Sequence, residues 1–318
     1  MALDSHWKYV YSDLITQLAG TQNRSLLKEF VSHDAKKGEV VFFDMDDADD
    51  NATLTAMSAN AGKYRMGATD ANSLTLAEIN AISTPHMDIT KNRTQCAPFL
   101  NEWGHTFRNI DEIAENANRD SRKLYMGMKR VAAQQDLKIF EALTKQSENR
   151  GKTGGSAETI PAGQKFDITT GLGLDDLSNI VNIFEDNYAN DEPVIVVISP
   201  TQKKYLIDNS GGTIHSTDFV NSTDYFTTGK LPDIYGLHLM VHPGVSAYAA
   251  TVNVGLTTPT DALIAFQKSA IMYNQFEALT TDMGQLPTQR YQYNLYLHEH
   301  IGTCRIDDKR VVQCAIGT

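Results

Sequence analysis

Apolar residues recur at spacings of three and four through residues 107–146. Phe107, Ile110, Ala114, Ala117, Leu124, Met128, Val131, Ile139 and Leu143 form one stripe, with Ser121 and Gln135 in its gaps on the same face. The other faces carry Arg108, Glu112, Glu115, Arg119, Asp120, Arg122, Lys123, Lys129 and Arg130. No proline interrupts the run, and its one glycine is Gly127. The pattern predicts a helix over 107–146 that rises about 60 Å if continuous. Globular helices usually run about 8 to 20 residues, so this one serves more than a single small core. A break near Asn118 to Asp120 is the alternative.

Elsewhere the pattern is a mosaic. Residues 1–34 read as amphipathic and helical, with Trp7, Tyr11, Leu14, Leu18, Leu26, Leu27, Phe30 and Val31, which suits an arm packed on a neighbour. Strands are predicted at 39–44, at Lys63-Tyr64-Arg65-Met66 and at 86–93. The intervening stretches are acidic, Ala/Asn-rich or Ser/Thr-rich and bury little, so the region projects and packs elsewhere. Residues 172–208 predict a helix capped by Asp175 or Asp176, a turn at 190–193, a buried strand at 194–198, and a helix opened by Ser199-Pro200. Leu237, Leu239 and Val241 alternate with His238, Met240 and His242, as in a strand. Further strands are predicted at 261–266, 292–302 and 307–314. There is no strict βαβ alternation, hence no Rossmann-like signature.

Composition fits a folded chain, 318 residues with 41% hydrophobic, large enough for two or three domains. No apolar run reaches about 18 residues, and the N-terminus lacks a basic and apolar leader, so neither a membrane span nor a secretory signal is expected. A cytoplasm-like compartment follows. Three cysteines at unrelated spacings, Cys96, Cys304 and Cys314, argue against a disulfide framework and predict small buried hydrophobes. The net charge of −11, with no basic cluster, disfavours gripping nucleic acid.

Each candidate for chemistry is incomplete. Gly151-Lys152-Thr153 sits in a glycine-rich loop, but Gln146 stands where a phosphate loop needs its first glycine, and a helix precedes it. The acidic run Asp44, Asp46, Asp47, Asp49 and Asp50 begins as a calcium loop does. Ala48 and Thr55 then occupy ligand positions, so a solvated loop tip is expected. The pairs His238/His242 and His298/His300 share strand faces as zinc ligands do, without a third ligand type in register. No G-x-S-x-G and no activated cysteine is present. The expectation is no catalytic residue, no metal, no cofactor and no enzyme. A metal-dependent enzyme on the two histidine strands is a minor alternative.

The order of elements carries more than any motif. An arm, a hairpin-like excursion, a long helix ending in Asp136-Leu137-Lys138-Ile139-Phe140-Glu141-Ala142-Leu143-Thr144, a glycine-rich break, and then helix, VIVVISP strand and helix follow in turn. Two later stretches add to this: residues 234–243 as glycine, hydrophobic strand and proline, and residues 263–271 as hydrophobic strand, Lys-x-Ala-Ile. This order resembles tailed-bacteriophage major capsid proteins of the HK97-fold family, over essentially the whole chain. The resemblance implies an α+β fold with an N-terminal arm (1–35), an extended β-hairpin loop (36–95), a peripheral domain (96–171 and 262–318) holding the spine helix 107–146, and an axial domain (172–261). It also implies a structural protein that self-assembles into hexamers and pentamers of an icosahedral virion shell, built in the host cytoplasm. The shell encloses double-stranded DNA without sequence-specific binding. A scaffolding protein in trans, a portal protein and a decoration protein are the implied partners. Lys63 is a candidate for a covalent subunit crosslink, which some members of that family use. An encapsulin-like compartment is the alternative with the same fold.

Overall fold

A computed structural model of the chain describes residues 25–38, 40–47, 90–107, 117–145, 159–209, 231, 233–286 and 292–317. In chain order the strands are β1 (Ser32–Asp34), β2 (Val41–Asp47), β3 (Thr90–Cys96), β4 (Phe99–Phe107), β5 (Lys165–Ile168), β6 (Val194–Ile198), β7 (Leu237–Val241), β8 (Pro259–Gln267), β9 (Ile271–Leu286), β10 (Gln292–Arg305) and β11 (Val311–Gly317). The helices are α1 (Ala117–Thr144), α2 (Leu174–Asp186), α3 (Pro200–Asn209) and the single turn α4 (Ala249–Val252), with 3-10 turns at Lys28–Phe30 and Pro243–Tyr248 among others.

From Ala117 to Thr144 the stripe folds as α1, which includes Asn118 to Asp120; residues 108–116 of the expected helix lie outside the described residues. Its expected start is corrected: Phe107 ends strand β4, so the helix does not begin there. Met128, Val131, Ile139 and Leu143 are buried as the stripe predicts. Gly127 is there because the Trp103 ring of β4 lies over it; a Cβ on Gly127 would sit 2.6 Å from that ring. The C-terminal carbonyls of α1 are met from β10 and β11. Arg305, with no side-chain exposure, donates to Ala142 O at 3.1 Å and Lys145 O at 2.6 Å, and Gln313 Nε2 donates to Leu143 O at 2.6 Å. A cation from another element thus sits at the negative end of the helix.

Two sheets flank α1. One is four-stranded, ordered β1-β9-β10-β4, and the other five-stranded, ordered β5-β11-β8-β6-β7. In the second, β6 is buried at every position, because both its faces are covered. One face packs Leu177, Ile180 and Phe184 of α2 and Leu206 of α3 against Val196, Leu263 and Ala265. The other packs Ile139, Phe140 and Leu143 of α1 with Val245, Ala249 and Val252 against Ile195, Val197, Ile264 and Phe266. Leu27 and Val31 join this second cluster, so the segment 27–31 is built into the same core.

Several expectations shift. Residues 28–34 form a 3-10 turn and a strand, not a helix, since β1 pairs parallel to β9 from Ser32↔Met272 to Asp34↔Asn274. The predicted strand at 86–93 appears as Thr90–Cys96, and the last strand runs Val311–Gly317 rather than 307–314. α2 is capped by Gly173, whose N–H donates to Asp176 at 2.8 Å; the carboxylate stands at the third helical position, not at the cap. Asp44, Asp46 and Asp47 lie in β2, not at a loop tip, with Asp44 in register with Arg93 and Asp46 with Lys91 of β3. Asp49, Asp50, Lys63 to Met66 and the loop 151–156 fall outside the described residues.

Candidate functional site

The most heavily built polar site is the junction where the arm segment meets α1 and β10. Asp136 projects from α1 and is buried. Its Oδ1 accepts from Ser25 Oγ and from Leu27 N–H at 3.0 Å, and its Oδ2 accepts from Leu26 N–H at 3.2 Å. These donors lie just before the 3-10 turn Lys28–Phe30, so a side chain from another element satisfies the backbone that leads into it. On the far side His242 Nδ1 accepts the Gly244 N–H at 3.0 Å. That leaves Nε2 carrying the proton, which it directs at Asp136 Oδ2 at 3.3 Å. One carboxylate thereby joins arm, spine helix and the end of β7.

At the preceding position of α1, Gln135 fills the gap noted in the apolar stripe. Its Nε2 donates to both Glu299 oxygens, at 2.8 and 3.0 Å, and Asn101 Nδ2 donates to Glu299 Oε1 at 2.6 Å and to Val131 O at 3.1 Å. Burial pushes the Glu299 carboxyl above the ordinary range; the hydrogen bonds from Gln135 and Asn101 and the charge of Lys28 oppose the shift. Burial also lowers the Lys28 ammonium, which lies 4.9 Å over the Tyr273 ring. These groups border a cleft of about 350 Å³ lined by Ser25, Lys28, His33, Gln135, Gln275 and Leu279 among others. The Ser25 hydroxyl, His242 and both carboxylates are engaged in hydrogen bonds that tie separate elements together, the arrangement of a clamp.

The histidine pairs do not converge. His238 lies in the five-stranded sheet, 3.0 Å from Asp233 and with its ring 5.6 Å from that of Phe30. His242 is spent on the clamp and follows β7 rather than lying within it. His298 and His300 do share a face of β10 in the other sheet. His300 Nδ1 is 2.7 Å from Glu277, and His298 Nε2 is 2.8 Å from Thr280 Oγ1 and 3.9 Å from Glu277. Among the described residues no group of three or more His, Cys, Asp or Glu side chains is arranged to hold a metal ion. Cys96, Cys304 and Cys314 are buried and form no disulfide, as their spacing implied.

Sequence reading missed Asp136, Glu299, Asn101 and Ser25. The available signal was Gln135 and Asp136, a polar pair inside an otherwise apolar face.

A model of the family described as phage capsid protein matches residues 5–316. Among curated proteins, none matches the sequence. Solved structures similar in fold include the capsid of the cyanophage P-SCSP1u, at 12% identity and TM-score 0.61, covering 93% of this chain and 89% of that one. The cyanophage Pam1 capsid matches at 8% identity and TM-score 0.61, covering 91% and 88%. A virus-like particle from Pyrococcus furiosus matches at 12% identity and TM-score 0.53, covering 95% and 96%. At such identities the likeness is one of fold.

Proposed function

Because the chain belongs to the phage capsid protein family and has an HK97-like fold, we propose that it forms the hexamers and pentamers of an icosahedral shell enclosing double-stranded DNA. Its role is structural rather than enzymatic. The observation that carries this is the family match over residues 5–316. The physical features agree with it. Buried carboxylates serve to hold the arm segment and β10 against one long helix, not to react. Net charge −11 lets packaged DNA lie beside the wall without adhering to it.

The proposed division is an arm at 1–35, an extended loop at 36–95, a peripheral domain at 96–171 and 262–318, and an axial domain at 172–261. The antiparallel pairing of β2 with β3 supports a hairpin base for the extended loop. Closed rings of copies need heterologous contacts, which unlike surfaces of one subunit supply. A scaffolding protein in trans, a portal protein and a decoration protein are the proposed partners, with assembly in the host cytoplasm.

A second reading with the same fold is an encapsulin-like compartment enclosing protein cargo in place of DNA. Particles purified from cells carrying the chain with its genomic neighbours separate the two. Nuclease-protected double-stranded DNA inside the particles is expected; a stoichiometric enzyme cargo without DNA overturns the viral reading.

A further inference from the structure

The ladder between β4 and β10 ends at Phe99↔Ile301. Continued back to residue 96, that register sets Cys96 opposite Cys304. Pro98 has no N–H with which to extend the ladder. β3 pairs with β2 as a sheet of its own, so Cys96 meets β10 through side-chain packing rather than strand pairing.

That packing brings the two thiols to one face of β10. A Cβ on Gly302 would lie 2.6 Å from Cys96 Sγ and 2.7 Å from Ala97 O, so the thiol sits on bare backbone that only glycine leaves open. Gly302 and Cys304 point to the same side of the strand. Thr303 between them turns to α1, where its hydroxyl donates to Lys138 O at 2.8 Å. Cys96 and Cys304 then share one small buried cluster with Val41 and Phe43 of β2, against which Met272, Phe276 and Ile306 pack. Directly opposed strand positions hold their Cβ atoms about 4.5 to 5.5 Å apart, and a disulfide needs about 3.5 to 4.5 Å. A small adjustment of the hairpin base closes that gap. Cys314 lies in the five-stranded sheet in a different cluster, where burial pushes its thiol up.

We propose that Cys96 and Cys304 are a redox pair whose disulfide fastens the base of the β2-β3 hairpin to β10. The pair lies within one subunit, so the bond needs no partner copy. The oxidant is a peroxide, small enough for a cleft of about 260 Å³ bordered by Gln95, Ala97 and Cys304. The Cys304 sulfur attacks one peroxide oxygen, the O–O bond breaks, and a sulfenic acid forms with release of water. The Cys96 sulfur next attacks the Cys304 sulfur. The S–S bond forms, the S–O bond breaks, and the departing hydroxide takes the Cys96 proton as a second water. Both thiols are oxidised and the peroxide is reduced, with the electrons in balance; a dithiol reductant reverses the bond.

Peptide mass spectrometry of the full chain tests this. A mixture of ¹⁴N and ¹⁵N chains is treated with hydrogen peroxide, quenched with catalase, alkylated in denaturant and digested. The peptides bearing Cys96 and Cys304 are expected to be joined, lighter by two hydrogens, always of one isotope, and separated again by dithiothreitol, while Cys314 is recovered alkylated. Recovery of Cys96 and Cys304 as alkylated thiols or as separate sulfinic acids overturns the proposal, as does a link that mixes isotopes or involves Cys314. The sulfenic-acid reagent dimedone, added with the peroxide, is expected to label Cys304 in the Cys96→Ser chain and not in the parent. Equal labelling in both contradicts the role of Cys96 as the resolving thiol.

Discussion

At the scale of single residues, three buried polar groups make opposite predictions. Asp136 satisfies the Ser25 hydroxyl and the Leu26 and Leu27 N–H groups, so Asp136→Ala leaves buried donors without partners. The expected loss is about 2 to 4 kcal/mol in urea unfolding of subunits, with faster proteolysis around residues 25–34. An unchanged midpoint and cleavage pattern would mean that the clamp carries no stability. Tyr273 is the reverse case. It is fully buried, its hydroxyl has no hydrogen-bond partner among the described residues, and burial holds its pKa well above the ordinary phenol range. Tyr273→Phe therefore leaves stability unchanged or raises it by about 1 kcal/mol; a loss above that would reveal a partner. Glu299 supplies the pH dependence. Its folded pKa is raised, so the folded state binds more protons than the unfolded state between the two values. This group's contribution is therefore largest at acid pH and falls as pH climbs from the ordinary glutamate range through the raised value. Unfolding of Glu299→Gln across pH should lack that decline relative to the parent chain; identical slopes would contradict the assignment.

At the scale of elements, packing decides what was legible. β6, α2 and β8 were readable because each buries an apolar run or stripe, and α3 because Ser199-Pro200 marks its start. β4 and β9 were not. β4 places Asn101 toward α1, and β10 places Glu299 there, so the junction interrupts the alternation that marks a strand. In β9 the bulges at Phe276 and Ala278 with Leu279 break the period of two. The helix start was misread for a related reason: Phe107 fits the helical stripe by spacing, yet pairs with Tyr293 at the end of β4. The clamp was opaque because its members are far apart in sequence and only the fold brings them together. Gly127 gives the element-scale prediction. Alanine there gains helix propensity but drives a Cβ into the Trp103 ring, so Gly127→Ala should cost about 1 to 3 kcal/mol net. In the Trp103→Leu background the same substitution should cost less or become favourable. An equal penalty in both backgrounds would show that Trp103 is not what holds this position to glycine.

At the scale of the whole molecule, the described residues form a four-stranded and a five-stranded sheet on either side of one long helix, with a two-stranded β2-β3 hairpin beside them and residues 27–31 locked into the core. The family match and the acidic balance both fit the wall of a shell. The most direct test is electron microscopy, with light scattering, of the chain expressed with and without its genomic neighbours. Closed shells or capsomer-sized rings are expected, and a strictly monomeric species under every condition would contradict the account.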